Sequence, residues 1–391
     1  MTLSEFSYYF RKIGPFALAG LILFIIFYVL ISGIITAIVN RPRDIPYEPP
    51  LGILDPIPFS YTVDYPSSFT LTMENIEGRP TTATSAANVY FIPQARTRFG
   101  YQQTTTYMAR AVGFDTETQQ YTINGLEAQY DDGIRKLKID ITNFNFTFET
   151  DLQQIDEIFS TATIPQENTI REQARAFMRQ MNKYDENFAQ GKDNVIYLRY
   201  DLATQDFIVV QNPQEANVVE VDFFQPDVNG YPVMSPKYFN SQNYVTFVFR
   251  PEGNLVIKAQ VTSFPKDYST GGAYPLKTGD RAFEELLNRK GIIVSPAKGS
   301  SHIVIRDMFV GYYDPEVYFP YLMPVYVFLG DNGFAAYVSA VDPTYIKTAT
   351  ESAPITPTKG PREALIIMWH SLHFAQSTLQ ELVYLQSDPH F

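Results

Sequence analysis

The chain has 391 residues, a mass of 44.6 kDa and a formal net charge of −12, from 30 Lys and Arg against 42 Asp and Glu. This acidic balance argues against nucleic acid as a partner, because the composition has no basic excess to replace the counterions of a phosphate backbone. The absence of cysteine excludes a disulfide framework, a thiol nucleophile and a cysteine zinc site. An aromatic content of 15% and a charged content of 18% are typical of a folded, sheet-rich body.

The first predicted element is a membrane-spanning helix. No charged residue lies between Lys12 and Arg41, and residues 16–39 are almost all apolar. As a helix this stretch is about 36 Å long, enough to cross a hydrocarbon core of about 30 Å. We therefore predict a cytoplasmic tail at 1–14 and a transmembrane helix at 15–40. A lone N-terminal anchor usually leaves its short tail inside, so the bulk of the chain is expected to be extracytoplasmic, in a bacterial cell envelope.

A proline-rich segment follows the predicted membrane helix. Between Arg41 and Pro58 there are six prolines, which favour an extended polyproline II conformation over helix or sheet. We predict a stiff stalk at 41–58 that holds the body away from the membrane.

The rest of the chain predicts an α+β fold. A helix followed by antiparallel strands recurs three times, with helices near 101–112 and 165–181 and a third that begins at the capping residue Thr278. Alternating polarity predicts strands after each helix, and Asp131-Asp132-Gly133 is the turn of one hairpin. The predicted modules are a first α+β module at 59–150, a second at 151–264 and a third at 265–345.

The last predicted element is an amphipathic helix within the linker and terminal segment at 346–391. Between Arg362 and Gln386 apolar residues recur at helical spacing and include Trp369, the single tryptophan of the chain. Such a stripe packs on its own domain, docks on a partner or lies on a membrane surface, and the sequence leaves these alternatives open. The stripe consists of Leu365, Met368, Trp369, Leu372, Ala375, Leu379, Leu382 and Val383.

Aromatic residues crowded among prolines between 312 and 326 are the best candidates for a contact surface. Tyrosine is rigid and amphipathic, and it is enriched in binding patches. The other interpretation is the core and edge of an aromatic-rich sheet. The candidate protein-binding residues are Tyr312, Tyr313, Tyr318, Phe319, Tyr321 and Tyr326, together with Trp369 and Leu372.

Signals for catalysis are weak. Ser295-Pro-Ala-Lys298, Lys277-Thr278-Gly279 and Ser241-Gln242-Asn243 are spelled like serine acyl-transfer motifs, but their order in the chain is wrong. His370 and His373 have a spacing that can hold a metal, but a polar helix flank is the simpler interpretation. No phosphate-binding loop, dinucleotide motif or zinc-protease motif is present. We therefore predict no enzyme, no cofactor and no metal site, with a hydrolase whose site forms only in tertiary structure as a minor alternative.

The third module resembles the YycH/YycI family. The resemblance covers residues 273–341 and rests on Ala273-Tyr-Pro-Leu276, the strand end Gly311-Tyr-Tyr313, Met323-Pro-Val-Tyr326 and Gly333-Phe-Ala-Ala-Tyr-Val338. Members of that family are bacterial single-pass proteins whose extracytoplasmic part has PepSY-like folds. The resemblance implies regulation of a membrane sensor kinase by protein contact, and PepSY-type modules are also associated with restraining proteases.

Together these observations predict a membrane-anchored extracytoplasmic protein-binding module. Its expected role is to regulate or scaffold another envelope or membrane protein, such as a sensor kinase, a protease or a surface assembly, with self-association as a further option. The alternative function is a structural subunit of a cell-surface assembly, because sheet modules with open edges can also pair with one another.

Overall fold

The structure is a computed structural model that describes residues 23–32, 49–61, 63–65, 69–74, 84–97, 99–118, 121–299 and 301–347. The chain divides into two compact units, Met1–Glu48 and Pro49–Phe391. In the first unit a helix at 23–32, α1, carries apolar side chains that are all at least 40% exposed. Among the described residues no helix is both long and apolar enough to span a membrane. The predicted tail at 1–14 and most of the predicted span at 15–40 lie outside the described residues.

The described part of the second unit consists mostly of strands. Its helices are α2 (Tyr101–Ala111), α3 (Glu167–Gln180), α4 (Glu186–Gln190) and α5 (Gly279–Leu287). Its strands are β1 (Thr70–Met73), β2 (Ala86–Phe91), β3 (Thr122–Asn124), β4 (Glu127–Asp131), β5 (Arg135–Asp140), β6 (Phe146–Thr150), β7 (Lys192–Asp201), β8 (Asp206–Val209), β9 (Val218–Phe224), β10 (Val233–Met234), β11 (Tyr244–Arg250), β12 (Gly253–Val261), β13 (Asp267–Pro275), β14 (Ile292–Ser295), β15 (His302–Tyr313), β16 (Tyr321–Gly330) and β17 (Phe334–Ser339). The predicted α+β class is confirmed.

Nine of these strands form an antiparallel sheet in the order β3-β4-β5-β6-β12-β11-β9-β7-β8. The sheet joins two halves, each a helix followed by a meander of strands: α2 precedes β3 to β6, and α3 precedes β7, β8, β9, β11 and β12. The halves meet where β6 pairs with β12, with Phe148 opposite Ala259. Because α2 and α3 bury their apolar stripes against the same face, one core lies between the two helices and the sheet.

The other eight strands form a mixed sheet. Its main path is β1-β15-β16-β17-β14, while β10 pairs with β15 and β2 joins β16 to β13. Both β1 and β10 run parallel to β15, so this sheet is not the purely antiparallel one expected for the third module. Helix α5 contacts β17 and is capped as predicted, since the Thr278 hydroxyl accepts a hydrogen bond from the Arg281 N–H. Residues 59–95, predicted in the first module, supply β1 and β2, so the sheet crosses the predicted module boundaries.

The described part of the proline-rich segment is packed on the eight-stranded sheet rather than free as a stalk. Leu54 is fully buried. Its N–H donates to the Tyr345 carbonyl at 2.8 Å, and the Lys347 N–H donates to the Leu54 carbonyl at 2.8 Å. Prolines add no donor to a sheet, but the apolar residues between them enter the core. The stalk prediction at 41–58 is therefore corrected for residues 49–58, and residues 41–48 lie outside the described residues.

Replacing Leu54 with alanine is expected to lower the free energy of unfolding by about 2–5 kcal/mol, because the change removes buried methyl groups and leaves a cavity. Urea denaturation measures this effect. The control is Ile53→Ala, whose side chain is 55% exposed and whose replacement is expected to cost less than about 0.5 kcal/mol. Equal effects of the two changes would show that Leu54 is not part of the folded body.

Two differences from the predicted strands have a backbone cause. The strand predicted before the Asp131-Asp132-Gly133 turn is itself a hairpin of β3 and β4, because Gly125 adopts a φ of 62° between them. Strand β13 was not predicted, since its Ser-Thr-Gly-Gly sequence has low strand propensity. Gly271 is needed there, because a Cβ atom would lie 2.6 Å from the Val89 carbonyl of the paired strand β2.

Candidate functional site

Most of the predicted aromatic contact residues are core residues. Tyr312, Tyr313, Phe319 and Tyr326 are at most 1% exposed, and only Tyr318 and Tyr321 are partly exposed. A buried ring cannot contact a partner, so four of the six are corrected to the alternative interpretation, an aromatic-rich sheet core. Trp369 and Leu372 lie outside the described residues.

Hydrogen bonds explain why tyrosine occupies these core positions. The Tyr312 hydroxyl donates to the Asn88 carbonyl at 2.8 Å, and the Tyr326 hydroxyl donates to the Lys277 carbonyl at 2.8 Å. Burial raises the pKa of Tyr326 to about 12, so the hydroxyl keeps its proton and remains a donor. The Tyr318 hydroxyl binds the Ile92 carbonyl at 3.0 Å. These side chains therefore satisfy buried backbone carbonyls.

The serine motifs form no catalytic arrangement. The Ser295 hydroxyl donates to the Gly333 carbonyl, and the Ser241 hydroxyl donates to the Phe223 carbonyl. Lys277 pairs with Glu285 at 2.6 Å. Among the described residues no group of three or more His, Cys, Asp or Glu side chains is placed to hold a metal ion. His370 and His373 lie outside the described residues.

A row of cavities follows α3 on the helix-covered face of the nine-stranded sheet, the first two of them between α3 and α2, and we call this row the interhelix groove. It contains three neighbouring cavities of about 420, 320 and 330 Å³. The first lies between the start of α2 and the end of α3, the second between the end of α2 and the middle of α3, and the third at the start of α3 beside the β11–β12 hairpin. The lining residues are Gln103, Thr104, Tyr107, Ala111, Val112, Gly113, Arg135, Thr163, Ile164, Pro165, Thr169, Gln173, Ala176, Phe177, Arg179, Gln180, Asn182, Phe247, Phe249, Arg250, Gly253, Asn254, Leu255 and Val256.

The middle cavity of the groove has an apolar bottom. Phe177 and Phe247 are at most 6% exposed and belong to the core below, with Val256 beside them. A hydrogen bond of 2.9 Å from the Asn254 amide to Gln173 connects the β11–β12 hairpin to α3 between two of the cavities. The groove therefore presents a preformed apolar surface with polar groups at its sides, a combination typical of binding sites.

The charge of the groove is opposite to that of the chain. Its lining contains three arginines and no acidic residue. Arg135 is paired with Asp132 at 2.7 Å, but Arg179 stacks on the Tyr184 ring at 5.0 Å and forms no ion pair among the described residues. The Nε of Arg250 is buried without a hydrogen-bond partner. Arg179 and Arg250 lie in the two end cavities of the groove and form no ion pair among the described residues, so their guanidinium groups can pair with carboxylates.

On the opposite face of the nine-stranded sheet, charged side chains lie opposite side chains of the other sign on neighbouring strands. Lys136 is directly opposite both Asp131 and Glu149 on its neighbouring strands, and Glu149 is also opposite Lys258. Such cross-strand pairs of opposite charge stabilise a sheet. A cleft of about 470 Å³ opens on this face, but the charged pair Lys136 and Asp131 in its lining is already within 3.6 Å. This cleft is therefore a weaker candidate than the interhelix groove.

Two acidic side chains lie two residues apart on β9 on that same face. Asp222 is fully buried, its Oδ2 accepts a hydrogen bond from the Ser241 N–H at 3.0 Å, and its Oδ1 has no hydrogen-bond partner. Burial, and then the charge of Glu220, raise the pKa of Asp222 to about 8. Burial also raises the pKa of Glu220, which accepts a hydrogen bond from Thr246 at 3.0 Å. These groups make stability pH-dependent.

A buried ion pair lies beside the eight-stranded sheet, where a segment of the nine-stranded sheet approaches it. Lys266, just before β13, pairs with Asp314, just after β15, at 3.0 Å, and their side chains are 1% and 4% exposed. Gln242, just before β11, donates to the other carboxylate oxygen of Asp314 at 3.2 Å. The Asp314 carboxylate therefore links the eight-stranded sheet to a segment that leads into the nine-stranded sheet.

Sequence reasoning missed the groove, although one signal was available. Thr169, Gln173, Ala176 and Gln180 follow one another at helical spacing and form an uncharged strip on an otherwise highly charged helix. This strip forms the side of the groove. The two arginines at the groove ends cannot be found in this way, because the sequence does not show which of its arginines lack a carboxylate partner.

Comparison with known proteins identifies no family for this chain. No family model and no curated protein matches it. Among solved structures, the chain is similar to an uncharacterized protein from Eubacterium rectale ATCC 33656, with 12% identity and a TM-score of 0.36. That match covers 69% of this chain and 89% of the other.

Proposed function

We propose that this chain is a membrane-anchored, extracytoplasmic and non-catalytic module that binds a segment of another envelope or membrane protein in the interhelix groove. The observation that carries the proposal is the groove itself, which combines an apolar bottom with Arg179 and Arg250 at its two ends in a chain of net charge −12. Complementary charge gives such a site specificity for a partner, and the apolar surface adds affinity.

Attachment to a membrane is supported by the first unit. The apolar side chains of α1 are exposed along the whole helix, and an uncovered surface of this kind is unfavourable in water. Lipid would cover these side chains if the uncharged stretch at 16–39 inserts in a bilayer. The resemblance of residues 273–341 to YycH/YycI proteins with PepSY-like folds supports a regulatory role toward a sensor kinase or a protease.

The proposal is tested by placing a photo-crosslinking amino acid at Gln180 of the full-length chain in native membranes. Gln180 is exposed on the side of the groove, so a segment bound there comes within reach of the probe. We expect a crosslinked product with a second membrane or envelope protein, and we expect the yield to fall when Arg179 and Arg250 are both replaced by glutamate, because the charge at both ends of the groove is reversed.

The matched control places the same probe at Gln214, which is exposed in a short turn before β9. Crosslinking to the same protein with equal yield at Gln180 and Gln214 would refute the groove as the binding site. Crosslinks only to further copies of this chain would favour the structural-subunit alternative. Thermal unfolding of each variant shows whether a lost crosslink reflects lost folding.

A further inference from the structure

We propose that residues 362–386 of this chain occupy the interhelix groove until a partner displaces them. This inference rests on the proposed function, since it makes the same groove a site of competition between the chain's own segment and the partner. The occupancy would regulate binding, because a partner must then exceed the affinity of a segment that is always present at high local concentration.

The starting point of this segment is fixed on the folded body. The Lys347 N–H donates to the Leu54 carbonyl, and the Lys347 ammonium pairs with Asp55 at 2.9 Å. Residues 348–391 follow directly in the chain. The connection at 348–361 can extend over at most about 50 Å, which gives residues 362–386 a wide but limited reach over the surface of the unit.

The chemistry of the segment complements that of the groove. Its apolar stripe, which includes Trp369, suits the surface formed by Phe177 and Phe247. Residues 362–386 contain one arginine, no lysine and two glutamates, a formal charge of −1, whereas the groove lining has three arginines and no acid.

The segment carries a glutamate near each of its ends. In the helix that the sequence pattern predicts, Glu363 and Glu381 are about 27 Å apart. The side of the groove from Thr169 to Asn182 runs for about 20 Å along α3 and the residues just after it, with one arginine at each end. The separation of the two glutamates exceeds this length by about 7 Å, a difference that the long glutamate and arginine side chains can span, so each carboxylate can lie near a guanidinium group.

Trp369 provides a direct measurement, because it is the only tryptophan of the chain. In the full-length protein, in nanodiscs, we expect an emission typical of a shielded indole and weak quenching by acrylamide. Replacing Arg179 and Arg250 with glutamate is expected to shift the equilibrium between docked and released segment about tenfold toward release, or about 1.4 kcal/mol. Emission should then move to longer wavelength and quenching should increase.

The control is Arg199→Glu on β7, an exposed arginine outside the groove, which should leave Trp369 emission unchanged. If the double variant unfolds, Ala176→Glu on the exposed side of α3 provides a second test with the same expected result. Unchanged Trp369 emission in folded groove variants would overturn the inference. Quenching of Trp369 by brominated lipids in the unaltered chain would also overturn it, in favour of a membrane-bound segment.

The two proposals fail differently. If the groove variants release Trp369 but no partner crosslinks to Gln180, the proposed function fails while the inference on residues 362–386 holds. If a partner crosslinks to Gln180 but Trp369 emission is unchanged in the groove variants, the inference fails while the proposed function holds.

Discussion

Replacing Lys266 with methionine is expected to lower the free energy of unfolding by about 3–5 kcal/mol. The change leaves the Asp314 carboxylate at 4% exposure without its counter-charge, and the Gln242 amide alone cannot offset the loss of hydration. Because the same Asp314 carboxylate accepts the hydrogen bond from Gln242 beside the nine-stranded sheet, an unpaired Asp314 is also expected to make the unfolding of the two sheets less cooperative. Urea denaturation followed by far-UV circular dichroism measures both effects.

The matched control is the double variant Lys266→Met with Asp314→Leu. Removing both charges removes the unpaired buried carboxylate, so most of the lost stability should return. Lys192→Met, at an exposed position at the start of β7, should change stability by less than about 0.5 kcal/mol. A single Lys266→Met variant as stable as the unaltered chain would show that the pair does not hold the structure together.

Replacing Asp222 with asparagine is expected to stabilise the protein at pH 8 by a few kcal/mol and to have much less effect near pH 4. Burial raises the folded-state pKa of Asp222 from 3.8 to about 8, so between these values the folded chain holds a proton that the unfolded chain has released. Stability contributed by this group therefore falls as pH rises from about 4 to about 8. Asparagine does not ionise, and its side-chain oxygen can still accept the hydrogen bond from Ser241.

Thermal unfolding of both proteins from pH 4 to pH 9 measures this difference. Some pH dependence should remain in the variant, because burial also raises the pKa of the neighbouring Glu220. Asp206→Asn, at an exposed position on β8, serves as the control and should follow the unaltered chain at every pH. A variant that loses stability at pH 8 would mean that the ionised Asp222 carboxylate is favourable in the fold.

Much of the nine-stranded sheet could be predicted from the sequence because its contacts are local. Each helix has a clear apolar period, and each following strand pairs mainly with strands close to it in the chain. The eight-stranded sheet could not be predicted in the same way. Its pairing of Thr70 with His302 is parallel and joins residues far apart in the chain, and the polarity pattern of a strand does not identify its neighbour.

The candidate site could also be predicted only in part from the sequence. The crowding of tyrosines between 312 and 326 is visible in the sequence, but an aromatic strand in the core and an aromatic strand at a surface have the same composition. Only the three-dimensional structure shows that Tyr312 and Tyr326 bind backbone carbonyls inside the body. The groove depends on the separation of two helices on one sheet face, a property of packing that neither helix encodes by itself.

The bridge between Leu54 and Ile346 has a mechanical consequence. The two short segments run parallel. A force that pulls on the N-terminal side of Leu54 and on the C-terminal side of Lys347 in opposite directions therefore loads the bridge in shear. The hydrogen bonds of Leu54 with Tyr345 and Lys347, and the ion pair of Lys347 with Asp55, then resist together instead of opening one after another. If the segment after Lys347 is held by a partner while the N-terminal region is anchored, tension passes through this bridge and bypasses both sheets until it breaks.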